Sequence, residues 1–419
     1  MVLCGRFPRN NAPRGYFIME TLETEHQNTE HVELVISCTP GLEGLLEDEI
    51  RELCPEISKL QKAHSSIRLE VTPDELTTLV VMSRISSRMH IPIREFSAKN
   101  PAMLYDQVRR IDWASYLRTE DTFRIQGRGQ ITDVSMNFAV LKIKDGICDE
   151  IKKQGFDRPN VDRKNPDISL TAFFTQDRCE LLLDLSTDAL HRRGYGEKRG
   201  LAPLRENRAA ALIRFAKMNF GPEIFDGPIV DPFCGSGTLI LEALLYKAGA
   251  PARVHNPVPV GFAKACPSLN ALANKKATKA KMAADIYFEE REGDTLAYAY
   301  DIDPEVLDAA GVSIQRARLS KYVKVKKADA RDLKHPGAFI VCNPPWGDRL
   351  DNEEASQLLS DFGHTVKHKC APAKIAMALG QGLSKRMGFR PSHRQEVENG
   401  ADKMDFCLYE VYEGSRKES

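Results

Sequence analysis

The segment Asp231-Pro-Phe-Cys-Gly-Ser-Gly-Thr238 constrains this chain more than any other. It follows the apolar pair Ile229-Val230 and precedes a stretch with helical spacing, so it reads as a strand-to-helix turn. Glycines let a backbone come close to a ligand, and the first turn of a helix offers unpaired N–H groups. No Lys-Ser/Thr pair follows, so this is not a phosphate loop. Ile240 stands where a dinucleotide fingerprint needs Gly or Ala, so it is not that motif either. Asp231 supplies an acceptor suited to an ammonium group rather than a phosphate. Taken alone, a Gly-x-Gly turn is more often a packing feature than a ligand site.

The surrounding pattern decides for a ligand site. From about residue 203, a helix (Leu204–Phe215) precedes apolar strands at Ile229-Val230, Ala297–Ile302, Val323–Lys327, Phe339–Cys342 and Ile375–Leu379. Helical stretches at 238–247, 304–319 and 353–368 separate them. Strands alternating with helices predict an α/β, doubly wound parallel sheet. Gln395–Val411 reads as an antiparallel hairpin at its edge, and 250–290 as an insertion with a Lys-rich helical piece. The earlier part differs. Strand-like runs at 32–38, 67–71, 123–127, 168–174 and 179–185, with helical runs at 42–53, 73–82 and 138–151, predict smaller α+β layers. A length of 419 residues fits two or three domains.

Bulk composition excludes more than it identifies. Hydrophobic residues make up 42% and charged ones 28%, as in a globular chain, and no apolar run reaches membrane-spanning length. Arg6, Arg9 and Arg14 lack the apolar stretch of a secretory leader; residues 1–30 are expected to be disordered, and Met19 is an alternative start. Ten cysteines without a Cys-x-x-Cys pair point to a reduced, cytoplasmic protein with no metal site. The net charge of zero gives no argument for nucleic acid, but residues 191–208 hold six Arg/Lys against two Glu. Arg192, Arg193, Lys198, Arg199 and Arg205 in this stretch are candidate contacts to an RNA backbone. Lys275, Lys276, Lys279 and Lys281 form a second patch, equally well read as a solvated helix face.

Two further strand ends complete a site. Asp301-Ile302-Asp303 closes the second strand, where one carboxylate can accept both hydroxyls of a ribose, while Asp303 before Pro304 also suits a helix cap. Asp329-Ala330 closes the third, in position to meet an adenine amino group or to make a plain surface turn. The sharpest signal is Asn343-Pro344-Pro345-Trp346. The exocyclic amine of a purine is a poor nucleophile because its lone pair is delocalised into the ring. Two acceptors on its N–H bonds, the Asn343 side chain and the Pro344 carbonyl, would draw that lone pair out. The prolines stiffen the clamp, and Trp346 can stack on a flat base. The competing reading of Pro-Pro-Trp is a buried turn with a core indole. Combined with the glycine turn, the clamp points to methyl transfer from S-adenosylmethionine to the exocyclic nitrogen of a nucleobase. Asp231, Phe233, Cys234, Gly235, Ser236, Gly237, Thr238, Asp301, Ile302, Asp303, Asp329 and Ala330 are then the candidate cofactor contacts.

At these residues the chain resembles the THUMP-containing RNA methyltransferases, and in particular the bacterial large-subunit (23S) ribosomal RNA guanine-N2 methyltransferases. The resemblance runs from about residue 32 to the C-terminus and rests on Leu183–Tyr195, Ala202–Asn207, Asp231–Thr238, Tyr300–Asp303, Asp329 and Asn343–Leu350. It implies a ferredoxin-like region over 31–65, a THUMP RNA-binding domain over 66–187, a basic linker over 188–202, and a Rossmann-like class I methyltransferase domain over 203–419. It further implies N2-methylguanosine formation, in large-subunit ribosomal RNA first and transfer RNA second, with no metal, membrane or obligate protein partner. A non-catalytic RNA-binding or assembly factor of the same fold is the reading from another class. Two departures stand out: Trp346 occupies a place usually held by Tyr or Phe, and Asp348 one where Glu is common.

Overall fold

The computed structural model describes residues 31–118, 120–132, 134–196, 204–347, 350, 352–399 and 402–413. The tail expected over 1–30 and the candidate residues Lys198 and Arg199 lie outside them. Among the described residues the chain forms two compact units. One comprises His90–Thr187 with Val260–Ala271; the other comprises Leu34–Met89, Asp188–Pro259 and the residues from Leu272 onward.

The N-terminal strands β1 (Val32–Ser37), β2 (Leu60–Ala63) and β3 (Ser66–Val71) are ordered β2-β3-β1 and carry α1 (Glu43–Leu53) and α2 (Pro73–Met82). Thr72 caps α2: its hydroxyl accepts the Glu75 N–H, and the Glu75 carboxylate accepts the Thr72 N–H.

The unit around His90–Thr187 is built on β4 (Arg88–Ser97), α3 (Pro101–Val108), β5 (Phe123–Ile131), α4 (Met136–Lys153), β6 (Ile168–Gln176) and β7 (Arg178–Asp184), with strands ordered β4-β7-β6-β5. The strand-like runs at 168–174 and 179–185 form an antiparallel β6–β7 hairpin, and β5 joins β6 in parallel. Two features were hidden in the sequence. Strand β4 carries Pro92 and a register shift between Pro92 and Arg94, which break the alternation. Strand β5 continues past Gly127 to Ile131, and Gly127 is there because a side chain would collide with Met136 and Val140 of α4.

The other unit holds the large sheet: β8 (Ile229–Asp231), β9 (Ala297–Asp301), β10 (Val323–Lys327), β11 (Phe339–Cys342), β12 (Ala373–Gly380), β13 (His393–Asn399) and β14 (Asp402–Val411). Their order is β10-β9-β8-β11-β12-β14-β13. The first five run parallel, while β14 is antiparallel to both neighbours. The terminal hairpin therefore enters the sheet through β14 and leaves β13 at the edge. Helices α5 (Glu206–Phe220), α6 (Thr238–Lys247), α9 (Pro304–Arg316) and α10 (Asn352–Thr365) connect or flank these strands. The 250–290 insertion forms α7 (Val260–Ala265), which belongs to the His90–Thr187 unit, and α8 (Pro267–Glu289). Ile340, Val341, Cys342, Met377 and Tyr409 are buried in its core. Strand order reverses between β8 and β11, and a crevice opens at such a switch point in open α/β sheets. Every cysteine among the described residues is buried and free. No group of described His, Cys, Asp or Glu side chains could hold a metal, and no described helix is long and apolar enough to cross a membrane.

Candidate active site

The glycine turn sits at the C-terminal end of β8, beside the switch point. Gly235 and Gly237 have φ of 51° and 82°, a left-handed region that glycine enters without steric cost. Gly237 is the residue before the first turn of α6, and its N–H donates to the Cys234 carbonyl at 2.8 Å. The neighbouring strand holds the turn in place. Cys234 N–H donates to the Tyr300 carbonyl at 2.8 Å, and Gly235 N–H donates to Asp301 Oδ2 at 2.9 Å. A Cβ on Gly235 would meet nothing within 4 Å, so this backbone faces open space.

That space is a cleft of about 1190 Å³. It is lined by Asp231, Phe233, Cys234, Gly235, Ser236 and Thr238 of the turn, by Asp301-Ile302-Asp303, and by Asp329-Ala330. All three strand ends singled out in the sequence thus converge on one cavity; of the proposed cofactor contacts, only Gly237 is not part of its wall. Its size exceeds the few hundred Å³ that a single small ligand needs. Asp231 is 1% exposed, with Oδ1 accepting the Phe233 N–H at 3.0 Å while Oδ2 finds no hydrogen-bond partner among the described residues. Burial, reinforced by the like charge of Asp301, holds its carboxyl well above the ordinary carboxylate range. Such a group is stabilised by a cation placed beside Oδ2.

The three other strand-end carboxylates are already engaged. Asp301 accepts the Gly235 N–H on Oδ2 and the Asp303 N–H on Oδ1, the latter at 3.1 Å. Asp303 caps α9, accepting the Glu305 N–H at 2.8 Å, which matches the capping reading of Asp303-Pro304. Asp329 accepts the Arg331 N–H at 2.9 Å and receives the Arg331 guanidinium at 2.6 Å, and that contact holds its carboxyl below the ordinary range.

At the end of β11, Asn343 and Pro345 line the same cleft. The Asn343 Oδ1 is buried and has no partner among the described residues, an unsatisfied acceptor on a residue that lines the cleft. Pro344 and Trp346 do not line it. Trp346 instead packs on β12, where a Cβ added to Gly380 would lie 2.9 Å from its Cε3. The indole Nε1 is buried and unpartnered among the described residues.

A family profile described as "RMKL-like, methyltransferase domain" matches residues 193–404, and one described as "THUMP domain" matches 98–184. The chain belongs to the RMKL-like methyltransferase family. Its relatives include the ribosomal RNA large subunit methyltransferase K/L of Ectopseudomonas mendocina, 32% identical over 91% of this chain and 53% of that protein. The enzyme of the same name from Pseudomonas entomophila is 30% identical over the same shares. The chain therefore spans about half the length of the curated relatives it matches. Among solved structures, a possible methylase from Clostridium difficile 630 superposes with a TM-score of 0.78 at 24% identity, covering 93% of this chain and 100% of that one. SMU.472, a putative methyltransferase crystallised with SAH, gives the same TM-score and coverage at 21% identity, and the two show a shared fold.

Several residues of this RMKL-like site carried no sequence motif. Arg331 lines the cleft and clamps Asp329. Glu354, Gln357, Leu358 and Asp361 line it from one face of α10, at the i, i+3, i+4, i+7 spacing of a helix stripe. That stripe is visible in the sequence, but only the fold shows that it faces a cavity.

The basic linker needs correction at one residue. Arg193 is fully buried, its Nε 3.2 Å from Glu242, so it cannot reach a phosphate in solvent. Glu242 lies on α6 and also receives Arg84 at 3.1 Å and the Tyr195 hydroxyl at 2.6 Å. A buried carboxylate with three donors is a structural centre, and a run of basic residues in the sequence does not reveal which one turns inward. Arg192 and Arg205 are exposed.

Proposed function

We propose that this chain is an S-adenosylmethionine-dependent methyltransferase that forms N2-methylguanosine in large-subunit ribosomal RNA. One observation carries the reading: two buried oxygens without partners among the described residues, Asp231 Oδ2 and Asn343 Oδ1, belong to residues that line one cleft at the switch point of the sheet. The first suits a cationic amino-acid group, the second an N–H donor. The fold of the solved relatives and the names of the curated ones support the same assignment.

The residues fit the cofactor. Gly235 leaves its surface of the cleft open, Asp231 answers the ammonium, Asp301 lies where ribose hydroxyls are accepted, and Asp329 with Ala330 borders the adenine end. When bound, S-adenosylmethionine supplies an activated methyl group on a sulfonium. The chain's own part is positioning. Asn343 Oδ1 and the Pro344 carbonyl accept the two N–H bonds of the guanine amine and turn its lone pair toward the cofactor. The stiff Pro344-Pro345 pair keeps that geometry. The base must leave its stack to enter. Arg192 of the linker and Arg205 just before α5, both exposed, would meet phosphate, and the THUMP match at 98–184 supports RNA as the partner. We read the chain as an N-terminal region, a THUMP domain and a catalytic domain over 203–419 joined by the 188–202 linker, acting in the cytoplasm; the boundary expected at 65/66 moves to about 89/90, because it would cut β2 from its hairpin partner β3.

The test is incubation of the purified protein with S-adenosylmethionine and large-subunit ribosomal RNA, followed by nucleoside mass spectrometry. N2-methylguanosine is expected. Asn343→Ala should abolish it while S-adenosylhomocysteine still raises the melting temperature. Methylation of transfer RNA instead would move the substrate, and turnover in Asn343→Ala would refute the clamp.

A further inference from the structure

The open edge of the large sheet carries a second feature that the methyl-transfer site does not use. Among the described residues, strand β10 pairs only with β9, in parallel, and its register sets Lys324 beside Tyr298 and Lys326 beside Tyr300. Residues paired this way present their side chains on one face, and alternate positions share it. The opposite face holds Ala297, Ala299 and Val323, all buried, and α9 packs there.

On the lysine face the cover is thin. The Tyr298 and Tyr300 rings lie parallel within 8°, with centroids 6.2 Å apart. His335 packs 4.6 Å from Tyr298, and its Nε2 is 2.9 Å from the Tyr300 hydroxyl. All three rings are half-buried. Lys324 extends over the Tyr298 ring at 5.9 Å, and Lys334 is exposed next to His335. Lys324, Lys326 and Lys334 make no ion pair with any described residue, although Lys321, just before the strand, does pair with Glu292. Three unneutralised cations around half-exposed aromatic rings form a surface complementary to a polyanion with flat bases.

This surface adjoins the cleft through the chain itself. The residues that follow β10, Ala328 to Arg331, line the cavity, and Lys334 and His335 come after only Asp332 and Leu333.

We propose that the Lys324–Lys326–Lys334 face is a docking strip for single-stranded RNA next to the target nucleotide, with the lysines on consecutive phosphates. The proposal rests on the reading of RNA as the substrate. The bland alternative is that lysines on an edge strand merely block pairing with another sheet edge.

The experiment is a salt titration of binding to poly(U), which contains no guanine to methylate, alongside methylation of large-subunit ribosomal RNA. The variant is K324Q/K326Q/K334Q, and the control is K275Q/K279Q, which removes exposed charge from α8. Each lost phosphate contact lowers the slope of log affinity against log salt by about 0.7. The variant should therefore lose about 2 from its slope and show a raised KM for ribosomal RNA. The control should keep the parent slope, and both should keep the melting shift with S-adenosylhomocysteine. An unchanged slope, or an equal fall in the control, overturns the strip. Unchanged binding together with self-association of the variant would establish the edge-guard role instead. If the parent methylates no RNA but the slope still falls only in the variant, the strip stands and the proposed function fails.

Discussion

At the scale of single residues, the site keeps its reactive groups in unfavourable surroundings. Asp231 is buried with one oxygen unpartnered, and burial raises its pKa from the ordinary 3.8. An acid whose pKa is higher in the folded than in the unfolded state contributes stability below its unfolded value. That contribution is lost as the pH rises from about 3.8 toward the raised value. At neutral pH without ligand, Asp231 therefore opposes folding. Asp231→Asn keeps the Oδ1 acceptor for Phe233 N–H and removes the titration, so it should melt higher than the parent at neutral pH yet lose cofactor binding. In the parent, affinity for S-adenosylhomocysteine should increase with pH as Asp231 ionises, and calorimetry in buffers of different ionisation enthalpy would register the released proton. A lower melting point for Asp231→Asn, with binding intact, would show that the carboxylate is only a turn-former. Gly380 makes a second residue-scale case. Its missing Cβ leaves room for the Trp346 indole, and overpacking of such a contact costs about 1–3 kcal/mol. Gly380→Ala should lower kcat/KM roughly ten- to a hundredfold by tilting the Asn343-Pro-Pro-Trp346 loop, with cofactor affinity unchanged. Adding Trp346→Phe should recover part of the loss, because the smaller ring vacates the contact; no recovery would mean that Gly380 serves the strand and not the indole.

At the scale of elements, the sequence was most legible where periodicity and punctuation agreed. The five parallel strands of the large sheet and the strands β6 and β7 were readable as apolar runs. Convergence of the strand ends followed from the switch-point rule once the alternation was recognised. What stayed hidden depended on contacts distant in sequence. Gly127 looked like the end of a strand and is instead a close approach to α4. Trp346 was read as a stacking platform in the cleft, and its ring lies on Gly380, a residue with no motif around it. Arg331 carries no signal before Asp329 is known to bind it. The turn before α6 gives a prediction at this scale. Gly237 has φ of 82° and its side-chain position is only in ordinary contact, 3.6 Å from Ala310. Gly237→Ala should therefore cost about 1–2 kcal/mol through backbone strain alone and weaken cofactor binding by disturbing the first turn of α6. Thermal melting with and without S-adenosylhomocysteine separates the two effects; full retention of the ligand shift would place the turn outside the binding surface.

At the scale of the molecule, Glu242 joins parts of the chain that are far apart in sequence. Arg84 follows α2, Arg193 and Tyr195 lie in the linker, and Glu242 sits in the helix that the glycine turn opens. The side chains of Arg84 and Glu242 are 4% and 0% exposed, and Arg193 is fully buried, so solvent cannot replace a lost partner. Arg84 Nη2 also donates to the Ala250 carbonyl at 2.7 Å, and the Arg193 guanidinium donates to the Arg84 carbonyl, so each cation is anchored to backbone as well. Removing the central carboxylate leaves two buried guanidiniums without their counter-ion, a loss of about 3–5 kcal/mol. Glu242→Ala should lower stability by that amount. Hydrogen-exchange protection should fall together around residues 84–89, 188–195 and 242–250, because one carboxylate serves all three. Arg193→Ala should likewise destabilise while leaving the salt dependence of RNA binding unchanged, the opposite of what the basic run in the sequence suggests. If protection fell only on α6, the three segments would not be coupled through Glu242. The coupling matters for function because α6 carries the cofactor turn at its first residue, so the same carboxylate that fastens the N-terminal segment also fixes the direction from which that turn meets its ligand.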